Sequence, residues 1–389
     1  MPYGLYPNGY TFLTSGGVRM NHIEFVNTAA SNKPLTSAQL SMDYFWKKKA
    51  IVSFFLSILV VCIHCTAFET YTYTQDVITY KVAAFIDNIS RSALCQVAVP
   101  LFFVLSGASL FRNYSIKNYP AKVKARIKTL VIPYLIWNIV GMLFFIATSY
   151  TFISKYFIGR QIFEITPVNV FLSIFHYQCN SPFWYVFALI CYVAISPLID
   201  RLISKKFLGV ITVSALLLLL HFDILLPKWL IYNPNSIVFF VLGCFIGKHY
   251  FHLFARKASK TSAILNLGIF LISMILFVLN NYGVFYYSYA EFTFALIIAA
   301  ISLWFSFDLI IDCIPQKKYH TYSFLIYAIH PNVVAVIVKL IYLFLPKTEF
   351  MCIINSILSV IITVAAVIVF ITCLKRYFPR IHALVSGER

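Results

Sequence analysis

The first residue that could carry chemistry is a histidine at the end of an apolar stretch. His64 closes the segment IVSFFLSILVVCIH, residues 51–64. An ionisable side chain is costly in such surroundings, so it is a site hypothesis. An imidazole titrates near neutral pH and can take or give a proton. The alternative is a capped, hydrogen-bonded histidine without chemistry. On a helix Cys62 and Cys65 point away from His64, so no metal site is expected.

A second histidine lies inside an apolar stretch and precedes a proline. His330 and Pro331 end the segment YSFLIYAIHP, residues 322–331. Proline removes a backbone donor and crowds the preceding turn, which predicts a kinked helix at the histidine. Such breaks usually line a cavity in membrane proteins. A kink without chemistry is the alternative.

A run of basic residues separates two apolar stretches. It contains Lys122, Lys124, Arg126 and Lys128, and the next apolar stretch begins at Thr129. A cationic rim beside a helix with polar residues could hold the phosphates of a cytosolic cofactor. The same run is also typical of a segment that fixes membrane orientation or contacts anionic lipid.

The elements that position these residues follow from composition. Of 389 residues, 61% are hydrophobic and 11% are charged, whereas soluble domains average roughly 25% charged residues. Crossing the hydrocarbon core takes about 20 apolar residues per helix, and such runs recur along the chain. We predict an all-α, polytopic integral membrane bundle of about ten transmembrane helices. The predicted spans are 50–68, 91–111, 129–149, 183–203, 207–226, 233–251, 262–280, 289–311, 322–345 and 351–374.

Three regions are predicted along the chain. Residues 1–44 are polar and are predicted to be a disordered tail, 45–380 the membrane domain, and 381–389 a cytoplasmic tail. The formal charge of +18 does not indicate a nucleic-acid partner, because Lys and Arg fall in short gaps between apolar runs rather than on one stripe. We expect membrane lipid to surround the apolar part of the chain. The nine cysteines show no regular spacing, which favours packing over a disulfide framework.

The distribution of Lys and Arg predicts the orientation. With a cytoplasmic N-terminus, 22 basic residues, Lys48 and Lys49 among them, flank the spans on the cytoplasmic side and 6 on the other side, not counting Arg19 and Lys33 in the N-terminal tail. Cytoplasmic loops of membrane proteins carry such an excess. We therefore predict that both termini are cytoplasmic and that the number of spans is even.

Several of these segments, in order and spacing, resemble the membrane acyltransferase 3 family, which includes O-antigen and exopolysaccharide O-acetylases and fucose 4-O-acetylase-like proteins. The matching segments are LVVCIH (59–64), VPLFFVLSG (99–107), RIKTLVIPYLIWN (126–138), PFWYVFALI (182–190), FFVLGCFIG (239–247) and FLIYAIHP (324–331). Together they extend over most of the chain.

The resemblance implies transfer of an acyl group, usually acetyl, from cytosolic acetyl-CoA to a hydroxyl of a glycan or lipid-linked sugar. It implies a multi-pass protein of the inner, cytoplasmic membrane. The family's first-span histidine corresponds to His64, and its basic approach to the third span corresponds to Arg126. We expect His64 to act as the general base, with a covalent acetyl-histidine relay as the alternative. The CoA phosphates would lie near Lys122, Lys124, Arg126 and Lys128.

Attack on a thioester creates an oxyanion that needs hydrogen-bond donors. The candidates are Ser106, Tyr134, Trp137, Asn138 and His330, and Trp184 and Glu69 are further candidates for the substrate site. The sequence does not choose among them. For Ser106 and its neighbours Gly107 and Ser109, close helix packing is also a sufficient explanation.

The chain departs from the family pattern at two positions. Ser53 stands eleven residues before His64, where the family usually carries Arg, and Phe187 stands where Arg or Lys is common. These losses are compatible with a divergent substrate, with a lysine from elsewhere in place of the missing cation, or with a non-catalytic glycan-binding relative. A sugar or lipid transporter is the alternative from another class, but the chain shows neither the internal repeat nor the paired charges that favour it.

Overall fold

The described part of the chain is predominantly helical. The computed structural model describes residues 37–65, 78–152, 154, 162–222, 224, 232–345 and 348–387. None of these residues lies in a β-strand, so the all-α prediction is confirmed. The α-helices are α1 (Ser37–Ile63), α2 (Ile78–Asp87), α3 (Ala98–Phe111), α4 (Tyr119–Arg126), α5 (Ile132–Tyr150), α6 (Pro167–Phe175), α7 (Trp184–Ala194), α8 (Ser196–Leu202), α9 (Lys206–His221), α10 (Ser236–His249), α11 (Phe251–Ala255), α12 (Lys260–Asn281), α13 (Tyr289–Ser306), α14 (Ser323–Phe344), α15 (Glu349–Tyr377) and α16 (Pro379–Ser386).

Several helices are long and apolar enough to cross a membrane. In the described residues six stretches qualify: Ala84–Phe111, Ile116–Tyr150, Lys260–Asn281, Tyr289–Leu309, Lys318–Phe344 and Phe350–Tyr377. Helices α7 and α8, bent by 64° at their junction, would make a seventh span. Helices α9 and α10 are apolar but shorter. Every predicted span contains helical residues, while the count of ten and the orientation of the termini stay predictions.

Two of the long helical stretches contain π-helical turns. Residues Asn88–Ala93 form a π turn and Leu94–Val97 a 3-10 turn between α2 and α3. A second π turn, Ile127–Val131, joins α4 to α5 directly after Arg126. Single π turns inside helices are frequent at functional sites because they redirect side chains.

Helices α3 and α10 approach each other closely through glycines. A Cβ on Gly107 would meet the carbonyl oxygen of Phe240 at 2.4 Å, and one on Gly243 would meet that of Val104 at 2.3 Å. Small residues permit such backbone contact between membrane helices. Close helix packing therefore explains Gly107, and α3 and α10 both contribute residues to the site described below.

The first helix begins earlier than the predicted tail boundary at residue 44. Helix α1 starts at Ser37, and Tyr44 and Lys48 both contact the carboxylate of Asp308, at 2.5 Å and 2.6 Å. The side chains of Lys48 and Asp308 are almost fully buried. The other carboxylate oxygen accepts a hydrogen bond from the backbone N–H of Ala258 at 2.9 Å. This buried ion pair ties α1 to the residues after α13.

The segment predicted as a C-terminal tail contains a helix that packs against the bundle. The indole N–H of Trp137 on α5 donates to the carbonyl of Val385 on α16 at 3.0 Å. Gly387 has a left-handed backbone (φ 66°) against Thr129, where a Cβ would meet the carbonyl oxygen of Thr129 at 2.6 Å. Burial lowers the pKa of His382 on α16, and the charge on Lys375 lowers it further. A neutral His382 suits this docked position.

Candidate active site

A cavity of about 220 Å³ lies where α1, α3, α7 and α14 meet the end of α4. Its polar lining consists of two cations, four serines and two tyrosines: Lys49, Arg126, Ser53, Ser106, Ser109, Ser323, Tyr185 and Tyr327. The other lining residues are apolar, and none is Asp or Glu. Two cations without a lining carboxylate favour an anionic ligand.

Helix α1 places Lys49 and Ser53 on one face. They are four residues apart, so both side chains reach the same cavity. The Nζ of Lys49 donates to the Oγ of Ser109 at 2.8 Å. Ser53 lacks the positive charge that the resemblance implies at this position, and Lys49 provides one a helical turn away on the same wall of the cavity. From the sequence, Lys49 is one of the basic residues that predict the membrane orientation, and its spacing of four residues from Ser53 is the signal that indicates a site role.

Of the four basic residues predicted to bind the cofactor, only Arg126 lines the cavity. It ends α4, and it lies close enough to Tyr185 for electrostatic interaction. The Nζ of Lys122 instead donates to the carbonyl of Leu110 at 2.8 Å, which satisfies an open carbonyl near the end of α3. Lys124 and Lys128 are exposed. The structure therefore does not gather the four cations in one place.

Among the predicted oxyanion donors, Ser106 lines the cavity. Its Oγ lies 3.1 Å from the hydroxyl of Tyr185, and either oxygen can be the donor. Gly107, the next residue, faces α10. Adjacent residues of α3 thus serve packing and the cavity separately, a division that residue types alone did not reveal.

Helix α14 connects the cavity to the two histidines. Tyr327 lines the cavity, and its ring lies 6.0 Å from that of His330, centroid to centroid. The hydroxyl of Tyr327 donates to the carbonyl of Pro182. His330 is fully buried, and its ring centroid is 5.2 Å from that of His64. The two catalytic candidates, which are distant in sequence, are therefore neighbours in the fold.

Pro331 explains the orientation of His330. Helix α14 continues through Pro331, which has no N–H to donate to the carbonyl four residues earlier, that of Tyr327. The Nδ1 of His330 lies 2.6 Å from this carbonyl and donates to it, because a carbonyl only accepts. In a neutral imidazole the lone pair is then on Nε2. This atom is buried and has no hydrogen-bond partner in the described part of the chain.

His64 follows the last residue of α1, whereas Lys49 lies near the middle of that helix. Its backbone N–H donates to the carbonyl of Val60 at 3.3 Å, so the helical path continues to the histidine. Eleven residues of helix separate it from Ser53, which corresponds to about 16 Å at 1.5 Å per residue. The cations and the histidines therefore occupy different depths of the bundle, with Tyr327 between them.

Three of the other predicted donors already bond to main-chain carbonyls. The hydroxyl of Tyr134 donates to the carbonyl of Phe175 at 2.9 Å, and the side-chain amide of Asn138 donates to that of Ile174 at 3.1 Å. The indole of Trp137 bonds to α16, as described above. None of the three lines the cavity. Their donors hold α5 against its neighbours, so the structure does not bring them to the site.

The remaining predicted positions also lie apart from the cavity. Trp184 packs its ring against Phe103 and Tyr232, with centroids 6.0 Å apart in both pairs. Phe187 lies in an aromatic group with Tyr134 and His176. The position at which the family commonly carries a cation is therefore part of packed aromatic core. Glu69 lies outside the described residues.

A comparison with family models assigns the chain to a family. A model of the acyltransferase 3 family, described as an acyltransferase domain, matches residues 54–376. This chain belongs to the acyltransferase 3 family. The match confirms the resemblance stated from the sequence and makes the chain a membrane acyltransferase. No curated protein and no solved structure matched the chain.

Most of the site residues described above lie inside the region that the acyltransferase 3 model matches. Within the acyltransferase 3 match lie His64, Arg126, Ser106 and His330, whereas Lys49 and Ser53 directly precede it. The acyltransferase 3 protein described here therefore has a cavity wall formed partly by residues outside the matched region. The arrangement can bind an anion at one depth and exchange a proton at another.

Proposed function

We propose that this protein transfers an acyl group from cytosolic acyl-CoA to a hydroxyl of a surface glycan or lipid-linked sugar. Acetyl is the acyl group that we propose first. The proposal includes the inner-membrane location expected from the sequence. One observation carries it: a cavity with two cations is connected through Tyr327 to the neighbouring rings of His330, which is fully buried, and His64. An acyl-CoA has anionic groups at one end and a thioester at the other, which suits that separation.

The cavity sets a limit on how the donor binds. Its 220 Å³ is below the roughly 300–1,000 Å³ of sites that enclose a whole drug-sized ligand. We therefore propose that it holds part of the pantetheine arm, with the nucleotide at its cytoplasmic mouth and the thioester directed past Tyr327 toward His64. Arg126 and Lys49 contact phosphate or carbonyl oxygens of the donor, and Ser106 and Tyr185 form hydrogen bonds with the pantetheine amides.

The proposed reaction is a direct acyl transfer. His64 takes the proton of the acceptor hydroxyl, and the hydroxyl oxygen bonds to the thioester carbon. The carbon–sulfur bond then breaks, and the CoA thiolate takes a proton and leaves as CoA thiol. A well-placed general base contributes roughly 10²–10⁴-fold to such a step.

His330 is a positioning residue in this scheme. The carbonyl released by Pro331 fixes the ring through Nδ1, which leaves Nε2 as an acceptor beside His64. A hydrogen bond from His64 to this acceptor would orient the base and stabilise its protonated form. The arrangement parallels other catalytic bases that a third group orients.

A comparison of the two histidines tests the proposal. We expect His64→Ala to abolish transfer from radiolabelled acetyl-CoA to membrane glycans while acetyl-CoA still binds. His330→Ala should reduce transfer without eliminating it. His249→Ala is a matched control, because that ring contacts the carbonyl of Ile203 and does not line the cavity. It should retain transfer.

Two results would contradict the proposal at different points. Wild-type rates in purified His64→Ala protein would show that His64 is not the base. No transfer by the unmutated protein to any glycan or lipid-linked sugar pool would favour the non-catalytic alternative. A second acyl-CoA of longer chain, assayed in parallel, distinguishes an unsuitable donor from an inactive protein.

A further inference from the structure

The main chain that carries His64 is fixed by α1 on one side only. The backbone N–H of His64 donates to the carbonyl of Val60 at 3.3 Å, and that of Cys65 donates to the carbonyl of Cys62 at 3.1 Å. Beyond this point other segments must hold the chain, because the last carbonyls of a helix have no partner within it. Contacts at Cys65 therefore contribute to the position of the His64 side chain.

Two other segments anchor Cys65. Its Sγ donates to the carbonyl of Ser356 on α15 at 3.5 Å. Its carbonyl accepts a hydrogen bond from the Nη1 of Arg91 at 3.4 Å. An arginine beside the C-terminal end of a helix can satisfy such carbonyls, and its charge interacts favourably with the helix dipole. Arg91 thus contacts the residue directly after the proposed base.

The Arg91 side chain is held by an ion pair with Asp87, four residues earlier. The Nε of Arg91 lies 2.9 Å from one carboxylate oxygen of Asp87 and 3.1 Å from the other. A guanidinium presents its donors in one rigid plane, so a bond through Nε also fixes the direction of Nη1. The ion pair therefore orients the donor that reaches Cys65.

The backbone around Arg91 is also tied to its neighbours. Arg91 lies in the π turn Asn88–Ala93. The side chain of Gln96 donates to the carbonyl of Arg91 at 3.2 Å, and the amide of Asn281 at the end of α12 donates to the carbonyl of Ser92 at 3.3 Å. Single π turns are frequent at functional sites. In the sequence, Arg91 is only one of the six basic residues that flank the spans on the side away from the cytoplasm.

We propose that Arg91 is a positioning residue for His64: it holds the main chain at Cys65 and thereby keeps the His64 ring beside that of His330. The two ring centroids are 5.2 Å apart. This role rests on the proposed function, in which His330 orients His64 as the base. Arg91 does not line the donor cavity. Its loss should therefore slow the chemical step and leave donor binding intact.

The kinetics of acetyl transfer by full-length protein in detergent test this role. Arg91→Gln should lower kcat roughly 10- to 100-fold, since a shift of about 1 Å in a catalytic group can cost about 100-fold in rate. The KM for acetyl-CoA should stay within about twofold, because the donor cavity is unchanged. Arg91→Lys should recover part of kcat, since an ammonium can still donate to the carbonyl of Cys65. Lys81→Gln is the matched control, because it removes an exposed cation from α2, and it should retain the wild-type kcat.

A double variant tests whether Asp87 acts through Arg91. Asp87→Asn leaves the arginine in place but weakens its orientation, so its loss of kcat should be smaller than that of Arg91→Gln. The double variant should have the kcat of Arg91→Gln alone, because the two residues form one unit. If the two single losses multiply in the double variant, Asp87 acts independently and the proposed arrangement is overturned.

Hydrogen–deuterium exchange measures the anchor without an activity assay. Arg91→Gln should speed exchange in peptides that contain residues 59–65 and leave peptides from α13 unchanged, because the loss is local. Unchanged exchange at 59–65 would overturn the anchor, and a wild-type kcat or a raised KM alone would overturn the positioning role.

The two measurements separate this proposal from the proposed function. If the unmutated protein transfers nothing, the proposed function fails, and exchange at 59–65 still shows whether Arg91 holds this part of the chain. If Arg91→Gln protein does not fold, Asp87→Asn takes its place in both measurements. A wild-type kcat and unchanged exchange in that variant would overturn the proposal.

Discussion

The replacement Arg126→Gln tests whether the charge of Arg126 contributes to binding of the acyl-CoA donor. Arg126 lines a cavity whose lining also contains Lys49 and no carboxylate. Glutamine retains much of the side-chain length and hydrogen-bonding capacity but removes the charge. We therefore expect weaker binding of acyl-CoA and little change in the amount of folded protein.

The expected magnitude follows from the charge-assisted hydrogen bond that the replacement removes. A hydrogen bond to a charged group contributes roughly 1.5–3 kcal/mol, because part of its strength is offset by desolvation. At about 1.4 kcal/mol per tenfold change, the Kd should rise roughly 10- to 150-fold. Lys49 remains in the same cavity, so residual binding is expected. Changing Lys49→Met in addition should weaken binding further.

The assay is equilibrium binding of acetyl-CoA to purified protein in detergent, at one fixed salt concentration. Lys124→Gln is the matched control, because it removes the same charge from the same helix at an exposed position. We expect that control to change the Kd less than threefold. An equal rise in Kd for the two variants would refute the cavity assignment, since binding would then reflect the summed charge of the basic segment.

Three further predictions concern the framework of the site. Trp137→Phe should destabilise the protein by about 1–3 kcal/mol through loss of the hydrogen bond to α16, yet leave the Kd for acetyl-CoA unchanged. A large rise in Kd would show that Trp137 contributes to donor binding. Gly107→Val should sharply reduce folded yield, because its Cβ would meet backbone at 2.4 Å, whereas Gly268→Val, with nothing within 4 Å, should express normally. Asp308→Asn leaves the Lys48 charge buried and should destabilise the protein by about 3–5 kcal/mol, so an unchanged melting temperature would show the pair to be dispensable.

The helical character and the placement of the apolar segments were predictable because lipid imposes one dominant constraint. Backbone groups in hydrocarbon must bond within their own segment, so runs of about 20 apolar residues become helices. Span length was less predictable. Helices α9 and α10 are short, and α7 bends by 64° into α8 at Ser196 and Pro197. Such breaks depend on packing against neighbours, which a hydropathy pattern does not contain.

The candidate site was only partly predictable because direction on a helix matters as much as residue type. Lys48 and Lys49 are adjacent in sequence and were both assigned to orientation. About 100° of rotation separates them, so Lys48 points to Asp308 in the core while Lys49 points to the cavity. The partners of each lysine come from distant helices. No local pattern distinguishes a topological lysine from one that lines a site.

The His-Pro dipeptide shows which part of a mechanism a sequence signal leaves out. The sequence predicts a kinked helix at Pro331; α14 continues from Ser323 to Phe344 through this proline, and the kink stays a prediction. The structure adds that the proline frees the carbonyl of Tyr327 and that the His330 ring satisfies it. A residue lacking an N–H thereby fixes a tautomer and leaves Nε2 buried as an acceptor. The carbonyl that Pro331 leaves without a backbone donor is thus satisfied by the neighbouring side chain, and this bond holds the fully buried His330 ring in place next to His64.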